Sequence, residues 1–167
     1  MFIETDRLEI REWTNDDFEE FAALMADPEV MRFSLKGRPL NSEEAKEYFQ
    51  KRILDHYRHG FGLWAIYYKE EKKIIGLAGL IIQEIEEVKK IELGYRLLPK
   101  YWHRGLTLEA AREICDYAFT ALKLKELISI IEPANTRSIR LAERVGMRPQ
   151  KMIQFHDRDV YIYARTP

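Results

Sequence analysis

The sequence predicts a single α/β domain built on a mixed sheet, and three observations carry that reading. Between Leu63 and Leu98 the apolar residues fall in short runs of strand length, Leu63–Tyr68, Ile74–Ile82 and Ile91–Leu98, separated by turn residues. On either side of that block they return to helical spacing. The chain has 167 residues, 46% hydrophobic and 12% aromatic, which suffices for one packed core.

Arg7–Trp13 alternates, with Leu8 and Ile10 facing one way, and reads as the first strand. Thr14 and Asn15 supply capping oxygens ahead of Asp16 and Asp17, whose charges suit a helix N-terminus. Phe18, Phe21, Ala22 and Met25 continue that helix until Asp27-Pro28 breaks the run. After a loop containing Gly37, Arg38 and Pro39, Ser42-Glu43-Glu44 opens a long second helix. Ala45, Tyr48, Phe49, Ile53 and Tyr57 mark its apolar side, and it ends near Gly60. The central strands follow, the first two joined by the charged turn Lys69–Lys73, and Pro99 stops the third.

Leu108, Ala111, Cys115, Ala118 and Leu122 then share one face of a third helix, which makes Cys115 a core residue. Leu127–Ile131 is a short strand. Asn135–Val145 is a fourth helix, closed by Gly146. Two last strands, about Lys151–Phe155 and Val160–Ala164, are joined by HDRD, a turn in which His156 and Asp157 sit. Trp13 and Trp64 read as packing residues, and His56 and His59 as solvated residues at a helix end.

Formal net charge is -1, from 27 basic and 28 acidic residues, a balance that does not suggest a nucleic-acid partner. The single cysteine has no partner for an intramolecular disulfide, and no paired ligand spacing suggests a metal. MFIETDRLEI lacks the pattern of a secretory signal, and no apolar run approaches membrane-spanning length. The expected setting is cytoplasmic.

KYWHRGLTLEAA, Lys100–Ala111, places Arg104 and Gly105 where a helix begins. A helix N-terminus offers unpaired N–H groups and about half a positive charge, so it can hold a phosphate. Gly105 lets the backbone come close, and the Arg104 guanidinium can add a charge-assisted contact. Neither the GK[ST] of a P-loop nor a G-x-G-x-x-G is present. A plain strand-to-helix turn stays open on these residues alone.

The wider stretch ELGYRLLPKYWHRGLTLEAAREICDYAFTALKLKEL, followed by EPANTRSIRLAERVGMR, resembles the GNAT acetyltransferases, and most closely their RimJ/RimL-like branch. ETDRLEIREW and GLWAIYYKEEKKIIGLAGL resemble the same branch, so the likeness runs nearly end to end. It implies one GNAT-like domain over residues 1–167, with a mixed, mostly antiparallel sheet of about seven strands flanked by about four helices. It also implies an acetyl-CoA-dependent N-acetyltransferase acting on a primary amine. Within the branch a protein N-terminus, ribosomal for instance, is the leading acceptor, with polyamines, amino acids or amine antibiotics as rivals. A non-catalytic acyl-CoA sensor is the alternative of a different class. Homodimers are frequent in the branch.

The family's pyrophosphate loop, Q/R-x-x-G-x-G/A, falls on Trp102, Gly105 and Thr107, and His103 replaces a common glycine. The resemblance assigns the pyrophosphate to the amides of Arg104, Gly105, Leu106 and Thr107. It assigns the pantetheine arm to the amides of Leu97 and Leu98, with Asn135 touching that arm or capping its helix. It implies Glu92 as a carboxylate near the acceptor; alternation sends Glu92 to the face opposite Ile91 and Leu93, cleft or solvent. The tyrosine that many relatives use as the acid for the thiolate falls on Ala142. Ser138, one turn earlier, is the implied donor. Glu109 matches a glutamate common in the branch. An α-amine, with a pKa of roughly 8, loses its proton more readily than a lysine or polyamine amine near roughly 10. Lys36 and Arg38, in the loop expected to shape the acceptor, argue against a strongly cationic one.

Overall fold

A computed structural model describes residues 1–167. Eight strands form one sheet: β1 (Phe2–Glu4), β2 (Leu8–Arg11), β3 (Leu63–Tyr68), β4 (Lys73–Ile85), β5 (Val88–Leu97), β6 (Leu127–Ile131), β7 (Arg148–Phe155) and β8 (Arg158–Arg165). Their order is β1-β2-β3-β4-β5-β6-β8-β7, antiparallel throughout except between β5 and β6. The helices are α1 (Phe18–Ala26), α2 (Pro28–Met31), α3 (Ser42–Tyr48), α4 (Leu106–Thr120) and α5 (Thr136–Arg144).

Two elements exceed the sequence expectation. The three-residue β1 is too short to show alternation, and it exists because Ile3 lies opposite Ile10 on the edge of β2. Asp27-Pro28 does end α1, but it also starts α2. The Asp27 carboxylate accepts from the amides of Glu29 and Val30, and Pro28 fills the first helical position, where its missing N–H costs nothing. The expected second helix is α3 for only seven residues. It continues as a π-helical segment, Phe49–Leu54, and a 3-10 turn, Asp55–His59, before Gly60 stops it. His56, expected to be solvated, is half-buried against Phe61 and has its Nε2 enclosed without a partner. Burial lowers its pKa.

Each face of the sheet carries its own core. On one face Leu8, Ile10, Trp64, Ile66, Leu93 and Leu97 pack against Ala111, Ile114, Cys115 and Ala118 of α4. Trp64 is fully buried there, edge-on to Tyr117, and Trp13 is buried on the opposite face beside Phe21 and Phe49. That second core joins Ala65 and Leu77 to Phe21, Leu24 and Met25 of α1 and to the π-helical segment. A smaller cluster, Ile128, Val160 and Ile162 with Ile85, holds the β6–β8 end together. Gly79 permits the sheet's tightest approach. A Cβ there would sit 2.0 Å from the Gly62 carbonyl oxygen, which already accepts from the Leu80 amide. No helix is long and apolar enough to cross a membrane.

Candidate active site

The sheet opens where β5 meets β6. These parallel neighbours share one paired position, Glu92 opposite Ile128, and part beyond it. On its other side β5 stays fully paired with β4. The Leu98 amide donates to the Ile75 carbonyl at 2.9 Å, so it is not the free pantetheine donor the sequence suggested. Antiparallel pairs alternate between bonded and non-bonded positions. Leu97 and Tyr95 therefore turn their backbone groups toward the gap. Two of the outward-facing carbonyls on this edge are occupied: Leu93 accepts from Ser129 Oγ at 3.0 Å, and Leu97 from Trp102 Nε1 at 2.7 Å. The N–H groups of Tyr95 and Leu97 are left as the edge's donors.

At the end of that edge the chain turns into α4. Gly105 is the helix N-cap, with φ +76°, and it offers no side chain to cap the first turn. The first helical bond is Glu109 N–H to the Gly105 carbonyl, at 3.0 Å. The amides of Leu106, Thr107 and Leu108 therefore have no partner within the helix. Leu106 contributes only its backbone, since its side chain is buried in the core, whereas Thr107 faces the cleft. His103 is itself left-handed, with φ +60°.

The Arg104 side chain does not point into this site. It turns outward, donating to the Tyr68 hydroxyl at 2.9 Å, lying over the Tyr68 and Tyr101 rings and approaching Glu71 at 3.9 Å. Lys73, Lys100 and Tyr101 also converge on Glu71, which holds its carboxyl down to about 2. Arg7 braces the loop from behind, bonding the Arg104 carbonyl at 3.0 Å and pairing with Glu109, which Thr5 also bonds. Glu109 thus fixes the loop to the turn between β1 and β2 in addition to facing the helix dipole.

Positive charge comes instead from α5. Arg137, Arg140 and Arg144, at i, i+3 and i+7, line the cleft opposite the α4 terminus. Arg137 stacks on Trp102 with its guanidinium carbon 3.2 Å from the ring centroid. This spacing is readable in TRSIRLAER, but nothing local says which way the stripe faces. Asn135 Oδ1 accepts from the Ser138 amide at 3.3 Å, so Asn135 caps α5 while also lining the cleft. The Ser138 side chain lines the cleft too, and its carbonyl accepts from the Tyr95 hydroxyl at 3.2 Å. Burial raises the Tyr95 phenol, so it remains a donor that ties α5 to β5. Ala142, fully buried, is core.

Glu92 stands on the other face of β5, at the mouth of the gap. Gln83 Nε2 donates to Glu92 Oε2 at 2.7 Å. Removal from water raises the Glu92 pKa above the usual carboxylate range, and the bonds from Gln83 and the Ile130 backbone only partly offset this. Arg158, which sequence reasoning missed, bridges the lips of this end. It bonds the carbonyls of Ser34 (2.9 Å) and Leu35 (3.1 Å) and pairs with Glu132 at 2.6 Å. His156 and Asp157 form the exposed two-residue turn between β7 and β8, both with positive φ. Lys36 and Arg38 both pair with Glu44, so their charges do not stand free in the cleft.

The whole cleft measures about 600 Å³, in the range of small-molecule sites. One end presents uncapped amides and arginines, which fits a diphosphate. The middle presents strand donors, which fits an amide-bearing arm, and the other end presents a half-buried carboxylate. Acetyl-CoA has the matching groups in the matching order.

Residues 7–148 match the Acetyltransferase (GNAT) domain family. The uncharacterized protein YkkB of Bacillus subtilis is 30% identical over 164 residues, covering 96% of this chain and 93% of its own. The uncharacterized N-acetyltransferase p20 of Bacillus licheniformis is 27% identical over 96% of this chain and 93% of its own. A GNAT-family acetyltransferase from Bacillus anthracis superposes with a TM-score of 0.81 at 27% identity, over 99% of this chain and 98% of that one. Uncapped α4 terminus, parted strands and family match agree: the chain belongs to the GNAT acetyltransferases, enzymes that transfer an acetyl group from acetyl-CoA to an amine.

Proposed function

We propose that this acetyltransferase acts by direct attack in a ternary complex, on a small primary amine that enters from the Glu92 side of the gap. The observation that carries this reading is the parting of β5 from β6 beside Glu92, with the Tyr95 and Leu97 amides leading from there to the uncapped start of α4. Acetyl-CoA supplies the activated thioester. The amides of Leu106 and Thr107, with Arg137 and Arg140 across the cleft, hold its phosphates. The Leu97 and Tyr95 amides draw the arm along the edge of β5, with Asn135 at its side.

Glu92 receives the amine proton. Gln83 and the Ile130 backbone orient the carboxylate at the gap. As the C–N bond forms and the C–S bond breaks, Ser138 Oγ donates a hydrogen bond to the departing thiolate from the opposite side of β5. A carboxylate of raised pKa suits an α-amine better than a more basic polyamine amine. A protein N-terminus carries the same amine, but the Arg158 bridge between the lips favours a small acceptor.

Calorimetric titration with acetyl-CoA and CoA, followed by thiol release against a panel of amines and N-terminal peptides, tests this. Binding of both, with turnover on a small amine, is expected. Binding with no thiol release on any amine would make the protein an acyl-CoA sensor. Absence of binding would reduce the α4 terminus to a turn.

A further inference from the structure

The acceptor side of β5 carries a charge pattern that CoA does not use. Glu92, Gly94 and Arg96 are alternate residues of one strand and project to one face. A Cβ at Gly94 would come within 3.2 Å of Ile81 and 3.7 Å of Leu63, so the glycine keeps a shallow apolar floor between the two charged side chains.

Arg96 is half-buried and lines the cleft, yet no carboxylate lies within ion-pair distance of it. Its one hydrogen-bond partner is the Met25 sulfur at 3.8 Å, a weak acceptor for a group with five donors. Arg52 of the π-helical segment, an exposed residue, also lines the cleft without an ion pair. The remaining cations here are accounted for, with Lys36 on Glu44 and Arg158 on Glu132. An arginine half-buried with no direct ion pair is unusual, because burial of a charge is tolerated when it is paired, and Glu92 on the same face acts on it only through space. Phe33 and Leu35 border the same space with apolar surface.

We infer that the acceptor carries a carboxylate as well as its amine: Arg96 takes the carboxylate, with Arg52 adding positive charge to the same cleft, Gly94 accommodates the carbon skeleton, and Glu92 faces the amine. The acceptor class is then a small amino acid with an apolar body. A polyamine would bring a second positive charge against Arg96 and Arg52. This assignment rests on the transferase reading for the direction in which the acceptor enters, but it has a binding test of its own.

That test uses product pairs, which need no turnover. Calorimetry on the CoA-loaded protein compares N-acetyl-phenylalanine with N-acetyl-phenethylamine, and N-acetyl-leucine with N-isoamylacetamide. Each pair differs only by the carboxylate. The acid of each pair is expected to bind about tenfold tighter or more. Arg96→Gln should erase that preference and Arg96→Lys should keep part of it, with Tm reporting the fold of each variant. Equal affinities within both pairs, or a preference that survives Arg96→Gln, overturn the inference even if the enzyme turns over. A carboxylate preference without thiol release from any amine would uphold the inference while refuting the transferase reading.

Discussion

Glu92 holds two opposed demands in one side chain. As the proposed base it must be ionised, whereas its desolvated position favours the neutral acid. The acid limb of kcat/KM is therefore expected at higher pH than for an ordinary carboxylate, and Glu92→Gln should remove that limb while lowering kcat by about 10²- to 10³-fold. The stability effect has the opposite sign. A carboxyl whose native pKa lies above its unfolded value binds its proton more tightly when folded. Its contribution to stability is full at low pH and declines as pH rises from the unfolded value past the native one. Glu92→Gln should consequently raise Tm at pH 7, and the gain should vanish in scans near pH 4. The candidacy of Glu92 came from the family resemblance, since strand alternation turns it away from Ile91 and Leu93 without saying whether cleft or solvent receives it. The direction of Arg104 was not legible: it is set by Tyr68 and Glu71, more than thirty residues distant in the chain. Leu98 misled for a similar reason, since its amide belongs to Ile75 through a register that no local pattern encodes.

At the scale of elements, the loop entering α4 depends on φ values that few side chains adopt. Gly105→Ala at φ +76° should cost about 1 kcal/mol of stability in urea titrations. Its Cβ would meet only Arg7 Nη2, at 3.6 Å, so the fold should survive. CoA affinity should fall further, about tenfold, because the amides that face the phosphates must shift with the strained cap. An unchanged CoA affinity would dissociate the loop from the anion site. Helix positions were readable from apolar spacing and capping residues, as α4 and α5 show. The π-helical segment was not, since Phe49 and Ile53 fit the ordinary helical stripe and the wider turn arises from packing beneath α1.

Across the whole molecule the sheet is held by close backbone approaches as much as by side chains. Gly79→Ala would force a methyl onto the Gly62 carbonyl and should cost about 3 kcal/mol, read from the urea midpoint, whether or not ligand is present. Composition and strand-length runs foretold the mixed sheet, but the strand order and the opening between β5 and β6 came only with the tertiary fold. Pairing partners there lie far apart in sequence, Glu92 opposite Ile128 being one case.

That opening makes the substrate a structural member. Β-sheets gain rigidity by pairing their interior strands along their length, yet beyond the Glu92–Ile128 pair this one leaves the Tyr95 and Leu97 amides of β5 without a strand partner in mid-sheet. Amide protons of Tyr95 and Leu97 should exchange quickly for such central residues and slow sharply when CoA is added, as hydrogen-exchange mass spectrometry or NMR would register. On the transferase reading, bound CoA would lie along the gap that opens between β5 and β6 beyond the Glu92–Ile128 pair, adding to the contacts that already join β1–β5 to β6–β8.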